Sequence, residues 1–164
     1  MVERSGRPVA WDCVVRPAQP AEALALSELA FRSKASWGYS DAFMAACRQE
    51  LTLTPQRMAD WKVWAAQVDQ TLVGMVALSI AAGPGLAELE HFFVDPAFQG
   101  RGVGTVLISA AVDACRLHGV ARIGLDADPN AEVIYQRLGF STVGRAASKS
   151  FPGRTLPRME LRLA

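Results

Sequence analysis

The chain has 164 residues, 51% hydrophobic and 20% charged, with a net charge of +1, which suits one domain around a single sizeable core. Its basic residues are scattered rather than striped, so nothing marks it as a nucleic-acid or membrane-surface binder, and no apolar run nears the roughly 18 residues that span a bilayer. Residues 1–10 lack a signal-peptide core, and three scattered cysteines argue against a disulfide framework or a zinc site, so a cytoplasmic protein with no metal is expected.

Residues 1–10 read as a loose tail on a single domain that spans residues 1–164. Residues 11–16 (Trp-Asp-Cys-Val-Val-Arg) read as a first strand, ended by Pro17 and Pro20. Residues 21–36 read as a helix carrying Leu24, Leu26, Leu29 and Ala30 mostly on one side. Ser36-Trp37-Gly38-Tyr39-Ser40 interrupts it. A helical pattern resumes over 41–51, with Ser40 or Asp41 as N-cap, and the Pro55 region closes it. Residues 61–68 and 72–80 form a hairpin around the turn 68–71, in which Gly74 weakens packing and marks a bulge. After a turn at 81–85, residues 86–94 make the next strand. Residues 102–118 then place Val103, Val106, Leu107, Ala110, Ala111, Ala114 and Leu117 on one helical face, with Gly119 as C-cap. Residues 120–125 are a strand, 130–138 a short helix closed by Gly139, and 140–143 and 158–163 are extended. The implied class is α/β (α+β): a mixed, mostly antiparallel sheet with helices on both faces. The right-handed crossover rule makes strands 86–94 and 120–125 parallel neighbours.

Gln99-Gly100-Arg101-Gly102-Val103-Gly104-Thr105 sits at a strand–turn–helix junction. There the first helical N–H groups lack internal partners and, with the helix dipole, favour an anion. Glycine lets a phosphate approach the backbone, and Arg101 adds a charge at the rim. A dinucleotide fingerprint fails in both registers, because Thr105 and Leu107 stand where the third glycine is needed, and no P-loop run exists. A nucleotide-binding α/β domain is disfavoured on that ground.

The pattern Q-x-x-G-x-G resembles the coenzyme A pyrophosphate loop of the GCN5-related N-acetyltransferase (GNAT) family. The resemblance is carried by two stretches. Residues 88–104, Glu-Leu-Glu-His-Phe-Phe-Val-Asp-Pro-Ala-Phe-Gln-Gly-Arg-Gly-Val-Gly, resemble the family's fourth strand and its loop. Residues 129–140, Pro-Asn-Ala-Glu-Val-Ile-Tyr-Gln-Arg-Leu-Gly-Phe, resemble its helix with a tyrosine ahead of Gly-Phe. The resemblance runs from about residue 13 to the end and implies the element order β-α-α-β-β-β-α-β-α-β-β. It also implies an N-acetyltransferase that uses acetyl-CoA as co-substrate and passes the acetyl group to a primary amine in a ternary complex. The acceptor is a small-molecule or a protein amine. A non-catalytic coenzyme A-binding regulatory module on the same fold is the alternative. Dimerisation is common in the family, so a homodimer is open.

Such a transfer needs a base, because the amine is protonated near neutral pH. Glu88 and Glu90 stand two apart on a strand and so face one way, at positions where the family often keeps its base; Glu90 is the first choice, being nearer the thioester. His91 has the opposite parity and is left out. The thioester oxygen needs a backbone N–H. The resemblance implies that the main chain of Phe92, Phe93 and Val94 splays from strand 120–125 and offers it. Gln99, Gly100, Arg101, Gly102, Val103, Gly104 and Thr105 would hold the pyrophosphate. Tyr135 would protonate the departing thiolate and Asn130 would hydrogen-bond the pantetheine arm, although a packed tyrosine and a helix cap are the plainer readings. Trp37 and Tyr39 would give the acceptor pocket an aromatic wall beside Glu90, with ordinary packing as the other reading. Arg154 reads as a solvated loop arginine that could meet an acceptor carboxylate.

Overall fold

The computed structural model describes residues 12–83 and 85–163, so the expected tail and Trp11 lie outside the described residues. Twelve helices and strands follow in order: β1 (Cys13–Pro17), α1 (Ala23–Ala35), α2 (Asp41–Leu51), α3 (Pro55–Asp60), β2 (Lys62–Val68), β3 (Thr71–Gly83), β4 (Leu86–Val94), α4 (Val103–Leu117), β5 (Arg122–Asp126), α5 (Glu132–Arg137), β6 (Ser141–Ala147) and β7 (Thr155–Arg162). The strands form one sheet in the order β1-β2-β3-β4-β5-β7-β6. Every pair is antiparallel except β4 and β5, which run parallel with α4 as their crossover.

Local chemistry accounts for the helix ends. The Ser40 hydroxyl accepts from the Phe43 N–H at 3.1 Å and so starts α2. The same device starts α3, where Thr54 accepts from the Arg57 N–H at 3.1 Å and Pro55 takes the first helical position. That helix was not expected: the proline that closes one helix also opens the next. The C-terminal strands are longer than expected, because Pro157 is absorbed inside β7. It pairs with Arg145 of β6, and its carbonyl accepts the Ala127 N–H at 2.8 Å.

The sheet carries a core on each face. On one, Val103, Leu107, Ala111 and Cys115 of α4 pack on Val73, Val76 and Leu78 of β3 and Ile123 of β5. On the other, Leu26 and Ala30 of α1 and Met44 and Cys47 of α2 cover Ala65, Met75 and Ala77. Gly74 has a use beyond the bulge expected there. The bulge is present, since Gly74 pairs with Ala66 and Leu72 with Gln67, leaving Val73 as the extra residue. The missing side chain also lets α4 come close: a Cβ at Gly74 would stand 2.9 Å from Leu107 Cδ1 and 3.1 Å from the Phe93 carbonyl oxygen.

Cys47 and Cys115 are buried and Cys13 half-buried, and all three are unpaired. Burial raises each thiol pKa, that of Cys115 to about 11. Among the described residues no helix is long and apolar enough to cross a membrane, and no cluster of ligating side chains could hold a metal ion.

Candidate active site

Strands β4 and β5 are joined only over Leu86–Glu88 and Arg122–Gly124. Beyond that point they part, and β4 runs on from Leu89 to Val94 without its parallel partner. The parting opens a cavity of about 990 Å³, lined by Glu88 to Val94 on one side and by Leu125, Asp126 and Tyr135 on the other. Its far end is formed by Gln99, Gly100, Gly102, Gly104 and Thr105.

The glycine turn has the conformation that its composition allows. Gly100 (φ 74°) and Gly102 (φ 87°) are both left-handed, and Gly102 is the N-cap of α4. The Val106 N–H donates to the Gly102 carbonyl at 3.2 Å, so the N–H groups of Val103, Gly104 and Thr105 are those left facing forward at the helix start. Gly104 lies against the Phe92 ring, where a Cβ would sit 3.0 Å from Cζ. The Val103 side chain is buried in the core, so only its backbone can serve a ligand. Arg101 lies outside the cavity lining, with its guanidinium 5.5 Å from the centre of the Phe98 ring.

A second bulge shapes β4. Ala77 pairs with His91 and Leu78 with Leu89, which leaves Glu90 without a partner on β3. The expected alternation therefore breaks at Glu90. Ala87 and Leu89 face the α4 core, and so do Phe92 and Val94, while Phe93 joins the core under α1 and α2. His91 is thereby brought to the face of Phe93, not the opposite side from the glutamates as its parity suggested. It packs edge-on to Trp61 and Phe93 at 5.3 and 5.5 Å between ring centres.

The two glutamates have different surroundings. Glu88 is gripped by Arg158 of β7, through Nη1 to Oε1 and Nη2 to Oε2, the latter at 2.9 Å; Nη1 also reaches Asp126 Oδ1 at 3.2 Å. Glu90 has no such grip. Its carboxyl pKa is raised, first by burial and then by the negative charge of Glu88, against the opposing pull of Lys149 and Arg57. Tyr135 is buried against Phe92 and Phe140, at 5.7 and 5.5 Å between ring centres. Burial, and then the charge of Asp128, push its phenol pKa upward, so the hydroxyl keeps its proton through the neutral range.

The residues expected to wall the acceptor pocket divide. Trp37 lines the cavity. Tyr39 does not. Its hydroxyl donates to Asp128 at 2.8 Å and accepts from Asn130 Nδ2 at 2.9 Å and Arg154 Nη2 at 3.0 Å. Its ring stacks on Phe43, which stacks on Phe151. Asn130 is thus committed to Tyr39, and Arg154 to Tyr39 and Asp128 (4.0 Å), so neither is a free loop group. Arg158, Asp128, Trp61 and His91 were not anticipated at the site. None of them carries a local sequence signal; Arg158 reaches the site only because β7 pairs with the strand carrying Asp126.

His91 also carries a pH dependence. Its Nε2–H donates to the Glu50 carbonyl at 2.9 Å, and Nδ1 is buried without a partner. Burial holds its pKa at about 4. An unfolded histidine titrates near 6.5, so the unfolded chain takes up this proton first as pH falls. The contribution of neutral His91 is complete above about pH 6.5 and drains away toward pH 4, by about 3 kcal/mol at most. Urea melts of His91→Phe at pH 7, 5.5 and 4.5 are expected to show a shallower loss of stability than the parent; an equal slope would show that His91 does not set it.

The acetyltransferase (GNAT) domain model matches residues 33–163. The chain belongs to the GNAT family. Among curated relatives, an uncharacterized N-acetyltransferase of Methanocaldococcus jannaschii is 36% identical over 58 residues, 34% of this chain and 26% of that protein. The glucosamine 6-phosphate N-acetyltransferase of Trypanosoma brucei brucei is 30% identical over 84 residues, 48% of this chain and 57% of that protein. This GNAT domain therefore spans from about a quarter to just over half of the curated relatives it matches. Among solved structures, the PaiA N-acetyltransferase of Thermoplasma acidophilum in complex with coenzyme A has a TM-score of 0.73 at 20% identity, covering 92% of this chain and 99% of that one. At that identity the likeness establishes a shared fold.

Proposed function

We propose that this GNAT domain transfers an acetyl group from acetyl-CoA to a primary amine by direct attack in a ternary complex. The observation that carries the reading is the parting of β4 from β5 beside the glycine turn, with an ungripped, half-buried glutamate at its edge. The residues fit the co-substrate. The turn presents forward-facing N–H groups to a pyrophosphate, and the backbone of residues 92–94, relieved of its parallel neighbour, can bond a pantetheine arm. Acetyl-CoA supplies the activated acyl group.

The chain's own groups do the rest. Glu90 takes the proton of the incoming ammonium. A backbone N–H of β4 stabilises the charge that grows on the carbonyl oxygen. Tyr135 hydrogen-bonds the departing thiolate and hands it a proton, and the second proton lost by the attacking nitrogen restores the phenol. An acyl-enzyme is disfavoured: Cys47 lines the cavity, but burial raises its thiol pKa and so disfavours the nucleophilic thiolate. The acceptor is an amine on a small molecule or a protein, and a relative named for glucosamine 6-phosphate is consistent with the former. Three unpaired cysteines accord with the reducing cytoplasm.

Isothermal titration with acetyl-CoA, with NAD and ATP as controls, tests the first half: binding of acetyl-CoA alone is expected. Tyr135→Phe tests the second half. It should keep that binding while losing about 10²-fold in turnover on an amine panel read by thiol release. Full turnover in this variant would remove the acid role from Tyr135.

A further inference from the structure

We propose that Arg158 is a positioning residue of the transfer site, which binds Glu88 into an ion pair and so leaves Glu90 as the one carboxylate of β4 free to take the amine's proton. The inference rests on the reading of Glu90 as the base.

The geometry is specific. Arg158 stands on β7, two strands from β4, and β5 lies between them. Its guanidinium reaches Glu88 by passing over Gly124, the β5 residue paired with Glu88. A Cβ at Gly124 would collide with that guanidinium, so the glycine is what opens the path. The contact to Glu88 is two-pronged, a planar match that a lysine cannot reproduce. Glu88 is also the last β4 residue paired with β5, so the pair sits at the fork itself.

The electrostatic consequence follows from what surrounds Glu90: Glu88 from its own strand, Asp126 from β5, Lys149 from the β6–β7 loop and Arg57 from α3. The carboxylate that acts most strongly on it is Glu88. Left unpaired, Glu88 would compete for the incoming ammonium and oppose the ionised form of Glu90. With Arg158 in place, both oxygens of Glu88 are engaged, so Glu88 is held as a pair while its charge still acts on Glu90, and Glu90 is the carboxylate left with free oxygens to accept a proton. The clamp therefore assigns the roles of two residues that the sequence makes look equivalent.

The test reads the Glu90 side-chain carboxyl by carbon NMR during a pH titration of the full chain without substrate. In Arg158→Met the Glu90 midpoint should rise by about one pH unit, since a cation leaves the cluster. In the double variant Arg158→Met with Glu88→Gln it should fall back to the parent value or below, because the Glu88 charge, which raises Glu90 even in the parent, has gone too. The acid limb of kcat/KM should follow the same rise and return. Gly124→Ala, which obstructs the guanidinium while keeping every charge, should shift Glu90 in the same direction as Arg158→Met. A Glu90 midpoint unmoved in folded Arg158→Met, or a double variant as displaced as the single, would overturn the inference. Parent-level turnover in Glu90→Gln would instead overturn the base reading; the two failures are distinct because the titration is read without turnover.

Discussion

Replacing Glu90 by Gln is expected to lower kcat/KM for the amine by 10²- to 10³-fold, of the order of a lost general base. The amide keeps the size and half-buried packing of the side chain but cannot accept the proton. Acetyl-CoA affinity should stay within about twofold, because the groups proposed to hold it are backbone N–H groups of the glycine turn and of residues 92–94, which the substitution leaves in place. The parent's pH profile adds a signed check. Glu90 must be ionised to act, and burial together with the charge of Glu88 raises its pKa. The acid limb of kcat/KM should therefore lie above the ordinary carboxylate range, with activity rising as pH climbs through it. In Glu90→Gln that limb should flatten. A parent-like limb in the variant would place the titrating base elsewhere.

Gly74→Val should damage both stability and cofactor binding. The new Cβ would meet Leu107 Cδ1 at 2.9 Å, the Phe93 carbonyl oxygen at 3.1 Å and Val103 Cγ1 at 3.2 Å. A leucine tip can swing away, but the branched Val103 side chain, buried at the first turn of α4, has little room to, so the start of α4 must lift, while the Phe93 oxygen adds a clash on β4. Overpacking of this kind costs about 2 kcal/mol, which for a chain of this size lowers Tm by about 6 °C. Lifting α4 at Val103 moves the helix start as well, so acetyl-CoA affinity should fall by more than the loss of stability accounts for. A calorimetric scan and a titration on the same sample separate the two effects. An unchanged affinity in a destabilised variant would mean that the helix start is held by the turn alone.

Sequence pattern made the architecture legible where a single local cause decides the outcome. Residues 86–94 and 41–51 were read to the residue, because Gly85 and Ser40 punctuate them. The parallel pairing of β4 with β5 followed from handedness alone. What stayed hidden needed two elements at once. The helix at Pro55–Asp60 depends on Thr54 and Pro55 opening a helix immediately after another has closed. The place of His91 depends on a bulge that exists only in the ladder between β3 and β4. The same holds at the site. Glu88 and Glu90 are legible as a pair, but the arginine that separates their roles lies 70 positions from Glu88 in sequence. Tyr39 reads as a pocket wall by composition, yet Asp128, Asn130 and Arg154 hold its hydroxyl outside the lining.

The state of the three cysteines has a practical side for anyone assaying the proposed transfer. A disulfide-exchange reagent that reports released coenzyme A reacts with thiolate, and burial shifts all three protein thiols toward the less reactive protonated form, with Cys47 and Cys115 also buried from the reagent. Colour developed by the folded protein then counts turnover rather than the catalyst itself. The same reagent added without substrate becomes a clock for opening, since the sulfurs of Cys47 and Cys115 react only as the chain exposes them.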